Sequence, residues 1–116
     1  MLTNNTTKTY KISANLIPVD EEIIKVYMQG AVYAFCNTNK GEAFSVRILF
    51  GGDNRDWSGT PMQKIYDYYI KNGKSYDDAA ENAAVDAGRL LKAVLERDSR
   101  EFEIVGKDTG TLYKLA

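Results

Sequence analysis

The sequence of 116 residues contains no histidine, one cysteine and two prolines. Without histidine, it lacks the commonest general base and the commonest transition-metal ligand. One cysteine, Cys36, can form neither an internal disulfide nor a thiolate metal cluster, and we expect it to be a small core residue. These absences argue against an enzyme and predict neither a metal site nor a cofactor.

An excess of one charge and a long apolar run are also absent. The 15 basic and 16 acidic residues leave a formal net charge of −1, so the chain as a whole does not attract nucleic acid or anionic lipid. No apolar run reaches the roughly 18 residues that span a membrane. The polar N-terminus lacks the layout of a secretory signal. We therefore expect a cytoplasmic protein that binds neither nucleic acid nor membranes.

The length predicts a single domain over residues 1–116, with a flexible segment at residues 1–8. Domains of this size bury only about two-thirds of the surface that their unfolded chain exposes. Self-association would bury more of it, so we expect a homo-oligomer.

Alternating apolar residues predict strands in the first half of the chain. These strands are residues 9–16, 23–28, 31–35 and 44–50. Gln29-Gly30 fits a two-residue hairpin turn between the second and the third. For residues 21–28, a short helix capped by Asp20 remains an alternative.

Helical spacing dominates the second half. Thr60 and Pro61 fit the start of one helix, and Gly73 fits its end. Its predicted buried stripe is Met62, Ile65, Tyr66, Tyr69 and Ile70. Ser75 fits the cap of a longer helix. The core stripe predicted for that helix is Ala80, Ala84, Ala87, Leu91 and Val94.

Two short strands, 102–104 and 111–115, close the chain around a turn at Lys107 to Gly110. The order of these elements predicts an α+β fold. Its sheet would be small and antiparallel, with about five to six strands, and both helices would pack on one face of that sheet.

The segment from residue 47 to residue 57 groups side chains that suit a small nucleotide. With one tyrosine from a neighbouring predicted strand, the candidate ligand-binding residues are Arg47, Asp53, Asn54, Arg55, Trp57 and Tyr33. The guanidinium groups would pair with phosphate, the two rings would stack on a base, and the remaining side chains would bind ribose or base edges. A purely structural role, with a solvent-facing arginine and a core tryptophan, remains open.

Motifs for catalysis or for phosphate loops are missing. The patterns GxxxxGK[ST] and GxGxxG do not occur. Asp53 and Asp56 lack the spacing of a calcium loop, and Asp77 and Asp78 are explained as charges at a helix start.

The run Phe44-Ser45-Val46-Arg47-Ile48-Leu49-Phe50, the loop Asn54-Arg55-Asp56-Trp57, two helices and a closing hairpin resemble the layout of phage Thoeris anti-defence proteins. Those proteins sequester signals. The resemblance implies an oligomer that captures a cyclic ADP-ribose-type messenger, or another cyclic nucleotide, without cleaving it. It also implies pockets at subunit contacts and a place in the host cytoplasm.

Three functions follow from these residues. The first is a non-catalytic binding protein that sequesters a small phosphorylated nucleotide as a phage counter-defence sponge. The alternative is a protein–protein inhibitor or adaptor of a bacterial defence complex, with the same tyrosine, arginine and tryptophan surface as its interface. A hydrolase that uses carboxylates and water is the third.

Overall fold

The computed structural model of the chain describes residues 1–5, 10–51 and 56–116. These residues form four helices and one two-stranded antiparallel sheet. The helices are α1 (Pro18–Thr38), α2 (Val46–Phe50), α3 (Gln63–Lys71) and α4 (Tyr76–Arg97), and the strands are β1 (Phe102–Lys107) and β2 (Thr111–Leu115). The α+β class is confirmed, whereas the predicted sheet of five to six strands is wrong for the described part of the chain.

Helix α1 replaces the predicted hairpin of residues 23–28 and 31–35. Its buried residues recur every four positions: Ile24, Met28, Val32 and Cys36. This spacing places them on one helical stripe against the core. The β-branched residues of this segment favour a strand only weakly. The burial of the stripe outweighs that preference, so the segment forms a helix.

The start of α1 lies before the predicted cap. Ile17 is the capping residue and Pro18 occupies the first turn, where a missing N–H is tolerated. Asp20 lies inside the helix and forms an ion pair of 3.6 Å with Lys64. The helical alternative for residues 21–28 is therefore correct, but its predicted cap is wrong.

Residues 10–16 alternate in exposure as predicted, yet they form no strand. The backbone N–H groups of Ser13 and Ala14 each donate to the buried carboxylate of Asp86 on α4, at 3.1 Å. A side chain thus satisfies donors that a neighbouring strand would otherwise have to satisfy. Thr9, the first residue of the predicted strand, lies outside the described residues.

A strand is predicted over residues 44–50, but residues 46–50 form helix α2. The Ser45 hydroxyl caps this helix and accepts the Ile48 N–H at 3.2 Å. Only Phe44 pairs with the sheet, in an isolated bridge to Tyr113. A local cap of this kind competes directly with strand pairing, and here it outweighs the alternating pattern.

Helices α3 and α4 form where two helices are predicted, but the predicted cap of α3 is wrong: Met62 precedes its first residue, and the Thr60 hydroxyl donates to the Trp57 carbonyl at 2.8 Å. Helix α3 follows a turn at residues 60–62 and ends before Gly73, whose φ of +88° suits glycine. Ser75 caps α4 by accepting the Asp78 N–H at 3.2 Å. The predicted core stripe of α4 is displaced at its start, since Ala79 and Ala83 are buried while Ala80 and Ala84 are half-buried.

The closing hairpin is confirmed and has a register shift between Ile104 and Gly106. The N-terminus adds to it, because Leu2 is buried and forms a parallel bridge with Phe102. The flexibility expected of residues 1–8 stays a prediction, and residues 6–9 lie outside the described part.

The core lies where α1, α4 and the hairpin meet. The ring of Phe44 is its aromatic centre, with ring centroids 5.5 Å from Phe35 and 6.1 Å from Phe102 and Tyr113. Cys36 is buried there, as predicted, and burial raises the pKa of its thiol. In the described residues, no helix has the length and apolar character needed to cross a bilayer.

Candidate functional site

A groove of about 660 Å³ lies between α2, α4 and the β1–β2 hairpin. Pockets for small molecules in proteins commonly measure about 300–1,000 Å³. Residues 45–47 and Gly51 line the groove from the side of α2, and Lys107, Thr109, Gly110 and Thr111 line it from the hairpin. A nucleotide-sized molecule therefore fits its dimensions.

One side of α4 supplies the long wall of the groove. Its residues are Glu81, Val85, Gly88, Arg89 and Lys92. They recur at the spacing that keeps helical residues on one side. A Cβ at Gly88 would contact nothing within 4 Å, so glycine leaves open space at the middle of this wall.

Among the charged residues on the described lining of the groove, cations predominate. Four carry positive charge (Arg47, Arg89, Lys92 and Lys107), and only Glu81 carries negative charge. Because the whole chain has a net charge of −1, the fold has concentrated positive charge at this place. Such a lining attracts anions and raises their local concentration.

Contacts within the chain position three of these cations. Arg47 Nη1 donates to Thr109 Oγ1 at 3.3 Å, and Arg89 Nη1 donates to the Lys11 carbonyl at 3.2 Å. The Lys92 ammonium lies 5.7 Å from the centroid of the Tyr10 ring. Holding cations in place before a ligand arrives reduces the entropy lost on binding.

Two hydrogen bonds hold the Tyr10 ring in place beneath Lys92. Tyr10 donates its hydroxyl proton to Glu96 Oε2 and accepts from Asn5 Nδ2, both at 2.9 Å. Desolvation, followed by the interaction with Glu96, raises the pKa of Tyr10. The ring therefore remains a neutral phenol under Lys92 at physiological pH.

The structure brings Arg47 and Trp57 to the same groove, as the sequence analysis requires. Trp57 is only 6% exposed, and its Nε1–H donates to the Phe50 carbonyl at 3.2 Å. Since little of the indole surface is accessible, the ring forms part of the wall and offers little area for stacking. Asp53, Asn54 and Arg55 lie outside the described residues.

Tyr33 is not among the residues that line the groove. It lies on α1, where the guanidinium carbon of Arg100 is 4.2 Å from its ring centroid. Arg100 in turn donates to Asp98 from Nη2 at 2.9 Å. Tyr33 thus belongs to a cation–π cluster at the end of α4, and one copy of the chain does not bring it together with Arg47.

Sequence reasoning missed three of the four cationic residues of the groove: Arg89, Lys92 and Lys107. In the sequence, the position of Lys92 is explained by the favourable interaction of a positive charge with a helix C-terminus, so it does not indicate a binding site. The spacing of three residues between Arg89 and Lys92 signals a shared helix face, but nothing in the sequence places that face against the hairpin turn.

A smaller cleft of about 320 Å³ borders Trp57 and the start of α4. Its described lining includes Asp56, Gln63, Tyr66 and Tyr76, with no cationic side chain. Hydrogen bonds from Ser58 lower the pKa of Asp56, which is therefore negatively charged at neutral pH. This cleft is less suited to an anionic ligand than the groove.

The described residues contain no group of three His, Cys, Asp or Glu side chains that could hold a metal ion. On the described lining of the groove, Glu81 is the one carboxylate, so the paired carboxylates of an acid–base mechanism are not assembled there.

No protein-family model matches the chain, and no curated protein or solved structure shows significant similarity to it. The resemblance to signal-sequestering phage proteins therefore stays a prediction.

Proposed function

We propose that the chain binds a small phosphorylated nucleotide in the groove and releases it chemically unchanged. The observation that carries this proposal is the local charge, with four cations against one carboxylate in a chain that is slightly acidic as a whole. Arginine and lysine are the side chains that bind phosphate oxygens most strongly. A volume of about 660 Å³ accommodates a nucleotide together with some water.

Binding without turnover is supported by the side chains around the groove. Its described lining contains one carboxylate, that of Glu81, and neither histidine nor cysteine. This lining supports the proposal of a protein that binds its ligand without converting it.

Sequestration of a signal is the biological use that we propose for this binding. The resemblance in residues 44–57 suggests a phage counter-defence sponge whose ligand is a cyclic ADP-ribose-type messenger or a cyclic nucleotide. Both ligand classes carry phosphate, and both suit a cationic groove. The observed helix over residues 46–50 differs from the strand expected there, so the support comes from the groove and not from the layout.

Calorimetric titration with cyclic ADP-ribose, ADP-ribose and a panel of cyclic nucleotides tests the proposal. We expect at least one of these ligands to bind, and binding should weaken as salt screens the groove. After denaturation of the complex, mass spectrometry should recover the ligand unchanged. Absence of binding by folded protein across the panel would contradict the proposal, and an altered ligand would contradict its non-catalytic part.

A pair of arginine variants identifies the groove as the site. Arg47→Gln removes a guanidinium from the groove, and we expect an affinity loss of about 10- to 100-fold, because a charge-assisted hydrogen bond contributes about 1.5–3 kcal/mol. Arg97→Gln is the matched control, since Arg97 lies outside the groove and pairs with Glu22 at 2.9 Å. Equal losses in both variants would show that the groove is not the binding site.

A further inference from the structure

Helix α1 has a second apolar face that points away from the core. Its exposed residues, here called the outer stripe, are Val19, Ile23, Val26, Gly30 and Tyr33. The four side chains are 46–62% exposed, although the same helix already buries a complete stripe on its other side. A helix with two apolar faces commonly packs against an element on each of them.

The spacing of the outer stripe is that of a helix–helix seam. Successive members are separated by four, three, four and three residues, which is the alternation found where two helices pack along their length. Helix α1 has 21 residues and is therefore about 31 Å long. The stripe extends over most of this length, so it offers a linear contact surface.

Gly30 lies in the second half of this stripe, beside open space. A Cβ built at this position contacts nothing within 4 Å. Glycine inside a helix destabilises it relative to alanine, because glycine loses more backbone freedom on folding. Because Gly30 has no side chain and lies on an exposed apolar face, it allows another helix to approach closely.

We propose that two copies of the chain associate through the outer stripe, with α1 packed against α1 about a two-fold axis. With Ile17 and Tyr27 at its border, the stripe exposes on the order of 600 Å² of side chain on each copy, at roughly 100 Å² per residue. Complete burial of these side chains on both copies would remove about 1,200 Å² from solvent, which is the lower limit of stable interfaces. Isologous pairing of one patch with itself is the commonest oligomer symmetry.

Charges beside the stripe permit a second copy to approach. The three acidic residues of the first turns are already paired within the chain: Asp20 with Lys64 at 3.6 Å, Glu21 with Lys25 at 3.5 Å and Glu22 with Arg97 at 2.9 Å. The members of the stripe carry no charge, and Arg100, whose guanidinium lies on the ring of Tyr33, is paired with Asp98 at 2.9 Å. Pairing of identical faces therefore brings together apolar side chains and internally compensated charges, with little repulsion between like charges.

The groove lies elsewhere, because none of its lining residues belongs to α1. The proposal therefore stands independently of the ligand. A ligand-free protein should dimerise, and a monomeric variant should keep its groove.

The mass of the full-length protein in solution tests this pairing. We expect light scattering after gel filtration to give about 26 kDa, against 13.0 kDa for one chain, at a concentration of about 100 µM. Val26→Lys places a charge at the centre of the stripe and should weaken dimerisation by at least about 100-fold. Val105→Lys is the matched control, because Val105 is exposed on β1; it should remain dimeric.

A second variant separates dimerisation from folding. Gly30→Gln adds a side chain where the monomer has space, so the helix content and unfolding midpoint of the monomer should stay the same or rise, while the dimer weakens. A monomeric wild-type protein would overturn the proposal, even if that monomer bound vesicles or another protein through α1. So would a dimer that survives both Val26→Lys and Gly30→Gln.

Discussion

Replacing Asp98 with asparagine should cost about 2 kcal/mol of stability at neutral pH, and acid should abolish this cost. Asp98 lies at the C-terminal end of α4 with a fully buried side chain. It accepts hydrogen bonds from the Arg100 backbone N–H at 2.9 Å, from Arg100 Nη2 at 2.9 Å and from Gln29 Nε2 at 2.8 Å. Burial by itself would raise the pKa of Asp98, but these bonds outweigh it and hold the pKa at about 2.

The magnitude follows from the difference in pKa between the two states. The folded value of about 2 lies below the ordinary value of 3.8, and each pKa unit corresponds to about 1.4 kcal/mol, so the carboxylate contributes ~2 kcal/mol. Because the folded pKa is depressed, this contribution is complete above the unfolded pKa. It is lost as the pH falls from about 4 towards 2.

Urea unfolding of wild type and Asp98→Asn at several pH values measures this contribution. At about pH 7, we expect the variant to be less stable by ~2 kcal/mol, which lowers the melting temperature by about 8 °C in a domain of this size. Near pH 2 the two stabilities should converge. Asp67→Asn on the exposed side of α3 is the control and should change stability by less than about 0.5 kcal/mol. A deficit of equal size at both pH values would refute the reasoning.

Two further predictions concern buried groups. Asp86→Asn leaves the N–H of Ser13 or Ala14 without its acceptor and should cost about 1–3 kcal/mol; faster hydrogen exchange at these two amides would report it, and unchanged exchange would contradict the anchoring role of Asp86. The thiol of Cys36, which is buried and has a raised pKa, should react with a disulfide reagent on the order of 100-fold more slowly in the native protein than in urea. Comparable reaction rates in the native protein and in urea would contradict the burial of Cys36.

The elements of the second half could be predicted because each has a local signal of its own. Ser75 offers a side-chain acceptor to free N–H groups at the start of α4, and Gly73 adopts a positive φ at the end of α3. The hairpin turn at residues 107–110 is similarly encoded by residues next to one another. Interactions of this range are visible in a sequence without knowledge of the fold.

The first half was predicted incorrectly because its pattern is compatible with two structures. Helix α1 has apolar residues on both faces, so its sequence shows little of the periodicity that marks a helix with one buried side. Residues 10–16 do alternate, but Asp86 and not a strand satisfies the N–H groups of Ser13 and Ala14. That partner lies more than 70 positions away in the sequence.

In the candidate site too, the sequence predicts some residues that the structure brings together and one that it does not. Arg47 and Trp57 are close in the sequence, and both line the groove. Tyr33 was expected beside them because a strand was predicted at residues 31–35, and the helix that forms there places it in the Arg100 cluster instead. Stacking by Trp57 depends on exposure, which only the packed structure decides.

The sequence by itself determined the α+β class, the presence of helices α3 and α4, the closing hairpin and the scarcity of catalytic groups. Only the tertiary structure decided that residues 18–38 form a helix and that cations from α2, α4 and the hairpin turn surround one groove. The reason is physical: caps and turns depend on hydrogen bonds between near neighbours, whereas burial and charge clustering depend on which distant segments the core brings together.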